Sequence, residues 1–289
     1  MPGYSTHYVC GVLAYRKINS GRIKECIKRY KRSYAVGLAG PDIFFYCIPD
    51  ILPEHSHGVT LHEERTGIFL QNLFRETSAL TGEKRKIAEA YFTGFVGHYM
   101  LDASCHPLVY EIAEDKDKRL CSAKHFMYES AMDEFACRRY LKRGAVDLTG
   151  VTAGKLSRQE REVITGLWVK VFRNTYEAEL SYFHMKTVLF FFRTVSFLIK
   201  DKKGYKEKFL GAVEKKLLGF AYISPLFVNG NTYGFNKFHW EAFNKLFLHG
   251  ESDFIETVPF IEKACNNDKE ADRLFGILGN RSYHTGEDC

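Results

Sequence analysis

Residues 98–106, HYMLDASCH, contain three side chains that bind metal ions well: His98, Asp102 and His106. They lie four residues apart, and in a helix each such step turns the side chain by about 40° and advances it by about 6 Å. Neighbours on this stripe can share one ion, because side chains at i and i+4 meet. The outer two histidines are about 12 Å apart, so the spacing predicts two ions with Asp102 between them.

A second stretch repeats the spacing, since HFMYESAMDE places His125, Glu129 and Asp133 four residues apart. A histidine or an aspartate on a helix face is more often solvated or paired than a ligand. The small, apolar flank GFVGHYMLD nevertheless predicts that His98 is buried. A buried Asp102 would need strong partners, because burying an unpaired carboxylate is costly. We therefore favour a metal site, with Gly94 and Gly97 allowing close approach by another helix.

The elements that carry these residues are predicted to be helices. The chain has 289 residues, 45% hydrophobic and 15% aromatic, which suffices for a large core. Helix-period patterns dominate and alternation of period two is rare, so we predict an all-α, single-domain multi-helix bundle. The predicted helices span about 5–18, 20–34, 60–79, 83–114, 122–143, 157–181, 184–201, 205–221, 234–249, 252–266 and 268–278.

Some element ends carry their own signals. Ser5 or Thr6 is the predicted N-cap of the first helix, and Ser157 with Glu160 forms a capping box. Pro107 is expected to kink the helix that contains HYMLDASCH. The stretch 37–58 is rich in proline and glycine and is predicted to be an ordered loop.

Two parts are expected within the domain: a metal-binding helical core over 1–145, and a helical C-terminal part over 146–289 packed into it. A weak boundary lies near 150–157, where the sequence is GVTAGKLS. The later histidines are isolated, and we assign no chemistry to them: His184, His239, His249 and His284.

The net charge, the cysteines and the apolar runs limit which compartment and which partners are expected. The net charge of +6 fits an anionic partner, and the basic run 16–32 is interpreted mainly as a solvated helix face. We see no signal peptide, and the eight scattered cysteines contain no CxxC pair, so a cytoplasmic protein is expected. The apolar run 187–199 is too short to span a membrane and is interpreted as a buried helix, with peripheral membrane contact as the less favoured alternative.

These residues together resemble the zinc-dependent phospholipase C family. That family has a histidine, an aspartate and a histidine on one helix, then a histidine and a glutamate four residues apart on the next. Upstream it has a histidine in the first helix, matched by His7 in STHYVCG, and a loop aspartate, matched by Asp42 in GPDIFFY. One further histidine precedes the central helix. His62 in LHEERTGIFLQNL is preferred because it begins a helix, His57 is the alternative, and His55 also qualifies.

By position, the resemblance implies three zinc sites, formed by Asp42, His62, His98 and Asp102; by His7 and Asp102; and by His106, His125 and Glu129. In the secreted members a mature N-terminal tryptophan completes the second site, whereas this chain begins Met1-Pro2-Gly3. Two or three zinc ions are therefore expected.

The activity that the resemblance implies is hydrolysis of a phospholipid head-group phosphodiester by metal-activated water, with Asp42 or Glu129 as the catalytic carboxylate. Aromatic residues in 43–53 could line a site for a choline-type cation, although we favour a core role for them. Two alternatives stay open. One is a zinc nuclease or phosphomonoesterase on the same scaffold, for which nucleic acid would be a partner. The other is a non-catalytic helical protein with a structural metal site.

Overall fold

The computed structural model describes residues 3–19, 21–47, 57–148, 155–219, 223–229, 237–265, 267–283 and 285–288. Every regular element in these ranges is helical, which confirms the all-α prediction. The α-helices are α1 (Tyr4–Lys17), α2 (Arg22–Arg29), α3 (Lys31–Gly37), α4 (His57–Glu63), α5 (Thr66–Ser78), α6 (Gly82–Ala113), α7 (Lys118–Ala136), α8 (Ala145–Leu148), α9 (Arg158–Tyr176), α10 (Tyr182–Leu198), α11 (Tyr205–Leu218), α12 (Lys237–Ala264) and α13 (Asp268–Leu278). Two 3₁₀ helices, Gly40–Tyr46 and Ser224–Leu226, and a π-helical turn, Cys137–Leu141, complete the set.

Helix α6 is the centre of the fold, and it continues past Pro107 to Ala113. Helix α3 crosses it in close contact. A Cβ atom on Gly94 would lie 2.3 Å from the carbonyl oxygen of Tyr34, and one on Gly37 would lie 2.2 Å from that of Tyr91. Only glycine therefore permits this approach, as the sequence predicted for Gly94. The crossing brings the end of α3 and the 3₁₀ helix after it to the middle of α6.

The long helix α12 packs along α6 on another side. The Phe254 ring lies against Gly97, and Gly250 lies against the α6 backbone at Leu101. Helix α9 adds Trp168, whose ring packs on Phe95. The core around α6 thus receives side chains from both predicted parts of the chain.

Several predicted element limits are wrong. The predicted helix 20–34 is divided at Tyr30 into α2 and α3. Predicted helices 234–249 and 252–266 are one helix, because Gly250 is retained by packing on α6. The predicted helix 60–79 is divided at Arg65, whose backbone is left-handed with φ 53°. Stretch 37–58 is not a loop throughout, since Gly40–Tyr46 is a 3₁₀ helix with Pro41 in its first turn.

The predicted caps have mixed outcomes. The capping box of Ser157 and Glu160 is confirmed at the start of α9. Helix α1 instead begins after Gly3 without a local side-chain cap, so the assignment to Ser5 or Thr6 is wrong. Its first amide groups are bonded by a distant residue on α7, described below.

The apolar run 187–199 lies within α10, and its interpretation as a buried helix is only partly right. Phe192 and Leu189 are buried, whereas Phe190 is 63% exposed and Phe197 is 51% exposed. Among the described helices, none combines the length and the apolar character needed to cross a membrane. The cysteines in the described ranges are all free.

The basic run 16–32 is largely paired within the chain. Arg22 Nη1 lies 2.6 Å from Glu89 Oε1, and Lys17 Nζ lies 2.8 Å from Glu251 Oε2. Arg29 pairs with Glu83 at 2.9 Å. These pairs agree with the interpretation of the run as a helix face rather than a nucleic-acid surface.

Candidate metal centre

Four candidate ligands from three elements meet in the interior. His98 and Asp102 of α6 have no exposed surface, and neither does His62 of α4. Asp42 of the 3₁₀ helix is 3% exposed. Their ligand atoms all lie within 4.8 Å of one another, so these four residues could hold one metal ion.

The distances within this group suit a small cation. Oδ1 of Asp42 lies 3.1 Å from Nε2 of His62 and 3.7 Å from Nε2 of His98. Oδ2 of Asp102 lies 3.1 Å from Nε2 of His98 and 3.9 Å from Nε2 of His62. Ligands about 2.0–2.1 Å from a tetrahedral zinc ion would lie roughly 3.3 Å apart, so the set has the spacing of a zinc site.

Backbone carbonyl groups fix the orientation of these histidines. Nδ1 of His98 lies 3.2 Å from the carbonyl oxygen of Leu38, and Nδ1 of His62 lies 2.6 Å from that of Gly58. A hydrogen on each Nδ1 donates to the carbonyl, which leaves the lone pair on Nε2. Metal-binding histidines are commonly held in this way. Each Nε2 therefore faces the group as an acceptor.

Several buried atoms of the group have no hydrogen-bond partner among the described residues. They include Nε2 of His98 and both carboxylate oxygens of Asp102. Leaving such atoms unpaired in the interior is costly. A cation at their meeting point would satisfy them, so the residues present fit a metal ion.

His7 of α1 approaches Asp102 from the other side. Its Nε2 lies 3.1 Å from Oδ1 of Asp102, and its ring stacks on that of His98 with centroids 4.1 Å apart. Asp102 thus presents Oδ2 to the four-residue group and Oδ1 to His7. This arrangement is the one that a bridging carboxylate requires.

A second group lies one turn further along α6. It contains His106, which is buried, with His125 and Glu129 of α7 at 14% side-chain exposure. Nε2 of His125 lies 2.6 Å from Oε1 of Glu129. Nδ1 of His106 lies 2.5 Å from the carbonyl oxygen of Tyr283, so its Nε2 faces the group. The structure therefore separates His106 from His98, as the helical spacing predicted.

The electrostatics of the first group reflect carboxyl groups and imidazole rings that are buried together. The pKa of Asp42 is raised to about 8, because burial raises it most and the charge of Asp102 adds to this, while His98 opposes both. Burial lowers the pKa of His62 to about 3, so this ring is neutral. Burial also acts to raise the pKa of Asp102, but the charges that His98, His106 and His7 can carry outweigh it and hold the pKa well below its usual range. A divalent cation would supply the positive charge that two adjacent carboxylates need.

Local backbone features place Asp42 and His7. Gly40 has φ +51°, and a Cβ atom there would lie 2.3 Å from the His98 ring, so glycine allows the 3₁₀ helix to reach α6. Asp133 of α7 anchors the start of α1. Its Oδ1 accepts hydrogen bonds from the amide and hydroxyl of Thr6, both at 2.7 Å, and its Oδ2 accepts from the amide of Ser5 at 3.2 Å.

The alternative histidines lie elsewhere. His57 packs against Phe44, Phe172 and His184, with ring centroids 5.2–5.5 Å away, and it belongs to neither group. His55 lies outside the described residues. His62, which the sequence favoured, is the histidine beside Asp42.

Sequence reasoning missed the groups that orient the candidate ligands. The carbonyls of Leu38, Gly58 and Tyr283 carry no residue-type signal, because any amino acid offers a carbonyl. The Tyr283 ring is also buried, 5.0 Å from the His62 ring and 5.7 Å from the His98 ring. Its amide donates to the carbonyl of His62 at 3.1 Å, so this C-terminal residue contacts both groups. The sequence places Asp133 four residues after Glu129, but it does not show that Asp133 holds the start of α1.

A cleft of about 80 Å³ opens beside the second group. Glu129 lines it, together with residues of α1, α7, α10 and the segment 225–228. Tyr46 also lines the cleft, whereas Phe44 is fully buried against Trp168. The predicted aromatic stretch therefore divides between cleft and core, and residues 48–53 lie outside the described residues.

Comparison with known proteins gives one finding. A family model described as zinc dependent phospholipase C matches residues 3–192. All eight candidate ligands fall inside this range, whereas Tyr283 lies beyond it. A search of the curated proteins and a search of the solved structures each found no significant match.

Proposed function

Because the chain belongs to the zinc-dependent phospholipase C family, we propose that it is a zinc-dependent hydrolase that cleaves the phosphodiester bond of a phospholipid head group. The observation that carries the proposal is the buried group of Asp42, His62, His98 and Asp102, whose ligand atoms converge. Among the described residues, Nε2 of His98 and both carboxylate oxygens of Asp102 have no hydrogen-bond partner. A solvated helix face would offer water to these atoms. In the buried group a metal ion would bind these unpaired nitrogen and oxygen atoms instead.

We assign the candidate ligands from their grouping, and Asp102 would belong to two sets. A first ion would be held by Asp42, His62, His98 and Asp102; a second by His7 and Asp102; a third by His106, His125 and Glu129. The second ion has the fewest ligands among the described residues, so we expect two or three zinc ions per chain. Zinc supplies stabilisation of the phosphate oxygens and acidifies the attacking water.

The protein's own groups orient the reaction. The carbonyls behind His98, His62 and His106 hold each ring so that its Nε2 faces the other candidate ligands, where a metal ion would bind. Asp42 and Glu129 are the candidate proton acceptors, one in each group. Glu129 lines the open cleft, whereas Asp42 is enclosed, so a substrate entering the cleft meets Glu129 first.

The cleft supports a head-group substrate. Tyr4, Tyr46 and Phe126 bring aromatic surface to it, and Glu129 and Asp133 bring carboxylates. Aromatic faces and carboxylates attract quaternary or primary ammonium groups. The nuclease alternative has weaker support, because the basic run 16–32 pairs largely within the chain.

The test is metal content and substrate choice on the same preparation. We would measure zinc per chain by elemental analysis, then the hydrolysis of phosphatidylcholine in mixed micelles, of single-stranded DNA and of a phosphomonoester. Two or three zinc ions with phosphate-ester cleavage only on the lipid would support the proposal. Zinc with cleavage of DNA or of the monoester alone would favour the alternative hydrolases. A single zinc without cleavage would favour a structural site.

The role of the two carboxylates is tested by Asp42→Asn and Glu129→Gln. A variant that keeps the full zinc content but loses hydrolysis identifies the proton acceptor. A variant that loses zinc identifies a carboxylate whose main role is binding. Variants that both keep zinc and activity would exclude these residues from the centre.

A further inference from the structure

The outer faces of α10 and α11, together with the short segment 223–226, carry an unusual amount of exposed apolar surface. Twelve of the seventeen large hydrophobic side chains that are exposed in the described residues lie between residues 182 and 226. Phe183 is 81% exposed, and Phe209 and Leu217 are each 75% exposed. We call this set the apolar face: Tyr182, Phe183, Phe190, Phe197, Leu198, Tyr205, Phe209, Val213, Leu217, Leu218, Ile223 and Leu226.

The spacing places these side chains in stripes. Phe183, Phe190 and Phe197 are seven residues apart and lie on one side of α10. On α11, Tyr205, Phe209, Val213 and Leu217 are four residues apart and also share a side. A surface helix normally turns polar residues outward, so these helices expose the face that would ordinarily be covered.

Exposed cations lie among the apolar side chains, whereas two of the three acidic residues between 182 and 226 are buried. The third, Glu207, is half-buried and accepts a hydrogen bond from Asn229. The exposed basic residues are Lys186, Arg193, Lys202, Lys203, Lys206, Lys208, Lys215 and Lys216. Asp201 accepts hydrogen bonds from the amides of Tyr205 and Glu207. Glu214 accepts from the amides of Ile223 and Ser224. The outward charge of this region is therefore positive.

The positive charge limits which kind of partner can cover the apolar face. A second copy of the same face would bring lysines against lysines, which is unfavourable. An anionic lipid surface would satisfy both features, because apolar side chains enter the acyl boundary while lysines contact the head groups. Aromatic and leucine residues flanked by lysines are the composition expected of helices that lie in a membrane interface.

The apolar face also borders the cleft that contains Glu129. Ser196, Ile199 and Leu226 line the cleft, and Phe197 and Ile223 are exposed in the same two segments. The segments are tied together, since the amide of Val228 donates to the carbonyl of Ile199 at 3.0 Å. A surface that engages the apolar face would therefore lie at the rim of the cleft.

We propose that the apolar face of α10 and α11, with its lysine border, docks on a bilayer that contains anionic lipid and so presents lipid head groups to the cleft at Glu129. Docking itself follows from the exposed side chains and their charge. The delivery of head groups rests on the proposed phospholipase function. The contact is peripheral, since none of the described helices is long and apolar enough to cross the bilayer.

The test is co-sedimentation of the full chain with sucrose-loaded vesicles of phosphatidylcholine containing 0, 20 or 40% phosphatidylserine (roughly the range over which surface charge becomes strong). The apolar variant is Phe190→Ser with Phe209→Ser and Leu217→Ser. The matched control is Ile68→Ser with Leu248→Ser and Ile277→Ser, which removes exposed apolar side chains elsewhere. The charge variant is Lys208→Gln with Lys215→Gln and Lys216→Gln.

The expected result is wild-type binding that strengthens with phosphatidylserine. Binding should fall about tenfold or more in the apolar variant and lose its dependence on phosphatidylserine in the charge variant, while the control stays within about twofold of wild type. Equal binding by the apolar variant and wild type would overturn the proposal. So would a wild type that ignores vesicles but forms a dimer that the apolar variant lacks.

Asp102→Asn separates this proposal from the proposed function. The variant should sediment with vesicles as wild type does, because Asp102 is fully buried and is not part of the apolar face. The apolar variant should still hydrolyse a water-soluble phosphodiester at the wild-type rate, while hydrolysis of vesicle lipid falls with binding. If wild type binds vesicles but hydrolyses nothing, the docking surface stands and the proposed activity fails.

Discussion

Two histidine–aspartate pairs in this molecule have the same helical spacing but differ in burial and in the residues around them. His98 and Asp102 lie on α6, and His249 and Asp253 lie on α12, which packs along it. Nε2 of His98 lies 3.1 Å from Asp102, and both side chains are fully buried. Nδ1 of His249 lies 3.4 Å from Asp253, with the side chains 65% and 31% exposed.

The difference lies in what surrounds each pair. The buried pair meets Asp42, His62 and His7 from three other elements, and the Leu38 carbonyl fixes the His98 ring. The exposed pair belongs to neither ligand group. Water can solvate it, so its ion pair contributes little. Spacing therefore identifies a histidine–aspartate pair as candidate ligands. Burial and a hydrogen bond from the histidine to a backbone carbonyl distinguish a candidate metal site from a solvated pair.

The largest expected difference is between Asp102→Asn and Asp253→Asn. An asparagine oxygen is neutral and cannot bridge two ions, so Asp102→Asn should lose at least one zinc and lower hydrolysis by about 1,000-fold or more. Asp253→Asn should keep its zinc and its rate within about twofold. Elemental analysis and initial rates measure both. Equal zinc content in the two variants would remove the distinction between the pairs.

Tyr283→Ala tests the support that only the buried pair has. The loss of a buried ring beside His62 and His98 should lower the free energy of unfolding by about 3–5 kcal/mol. The carbonyl behind His106 would lose its fixed position, so zinc affinity should fall about tenfold or more. Chelator competition measures the affinity. Tyr283→Phe keeps the ring and should bind zinc as wild type does, and a similar loss in both variants would contradict the role of ring packing.

Gly94→Ala tests the helix crossing that buries the pair. Its Cβ atom would lie 2.3 Å from the Tyr34 carbonyl oxygen, so α3 must move away, at about 2–4 kcal/mol of unfolding free energy. Gly276 in α13 is the control, because a Cβ atom there would meet nothing within 4 Å. Gly276→Ala should stabilise by about 0.5–1 kcal/mol through helix propensity. Urea unfolding measures both, and a neutral Gly94→Ala would show that the crossing is not tight.

Asp133→Ala tests the hydrogen bonds that hold the start of α1, the helix that carries His7. Its expected effect is the smallest of the four. The amides of Ser5 and Thr6 would lose their acceptor, so the free energy of unfolding should fall by about 1–3 kcal/mol. Asp133→Asn keeps one acceptor oxygen and should cost less. If α1 shifts, zinc should be lost from the His7 side before the other sites, as zinc titration would show. Identical behaviour of the two variants would argue against anchoring by the carboxylate.

Much of the helical architecture was predictable from local patterns. The helix that carries HYMLDASCH, the capping box at Ser157 and the approach at Gly94 were all read from short stretches. The separation of His98 from His106 followed from helical geometry alone. Each of these depends on residues close in sequence, where period and propensity act directly.

The errors arose where distant contacts outweighed local signals. Gly250 and Glu251 look like an end between two helices, yet packing on α6 keeps α12 continuous. The apolar run in α10 was interpreted as buried because composition does not say which residues a partner covers. The N-cap of α1 was wrong because Asp133, 127 residues away from Thr6, performs that task.

The sequence by itself determined the candidate ligand types and their stripe on α6, because these depend on residue identity and helical period, and the order of these residues along the chain carries the resemblance to the family. Only the tertiary structure decided that His62 rather than His57 lies beside Asp42, and that His98 with Asp102 is enclosed while His249 with Asp253 is not. It also brought the Tyr283 carbonyl to His106 and left the apolar face uncovered. The physical reason is that burial, hydrogen bonds to carbonyls and exposed faces are properties of pairs of elements, which no single stretch of chain contains.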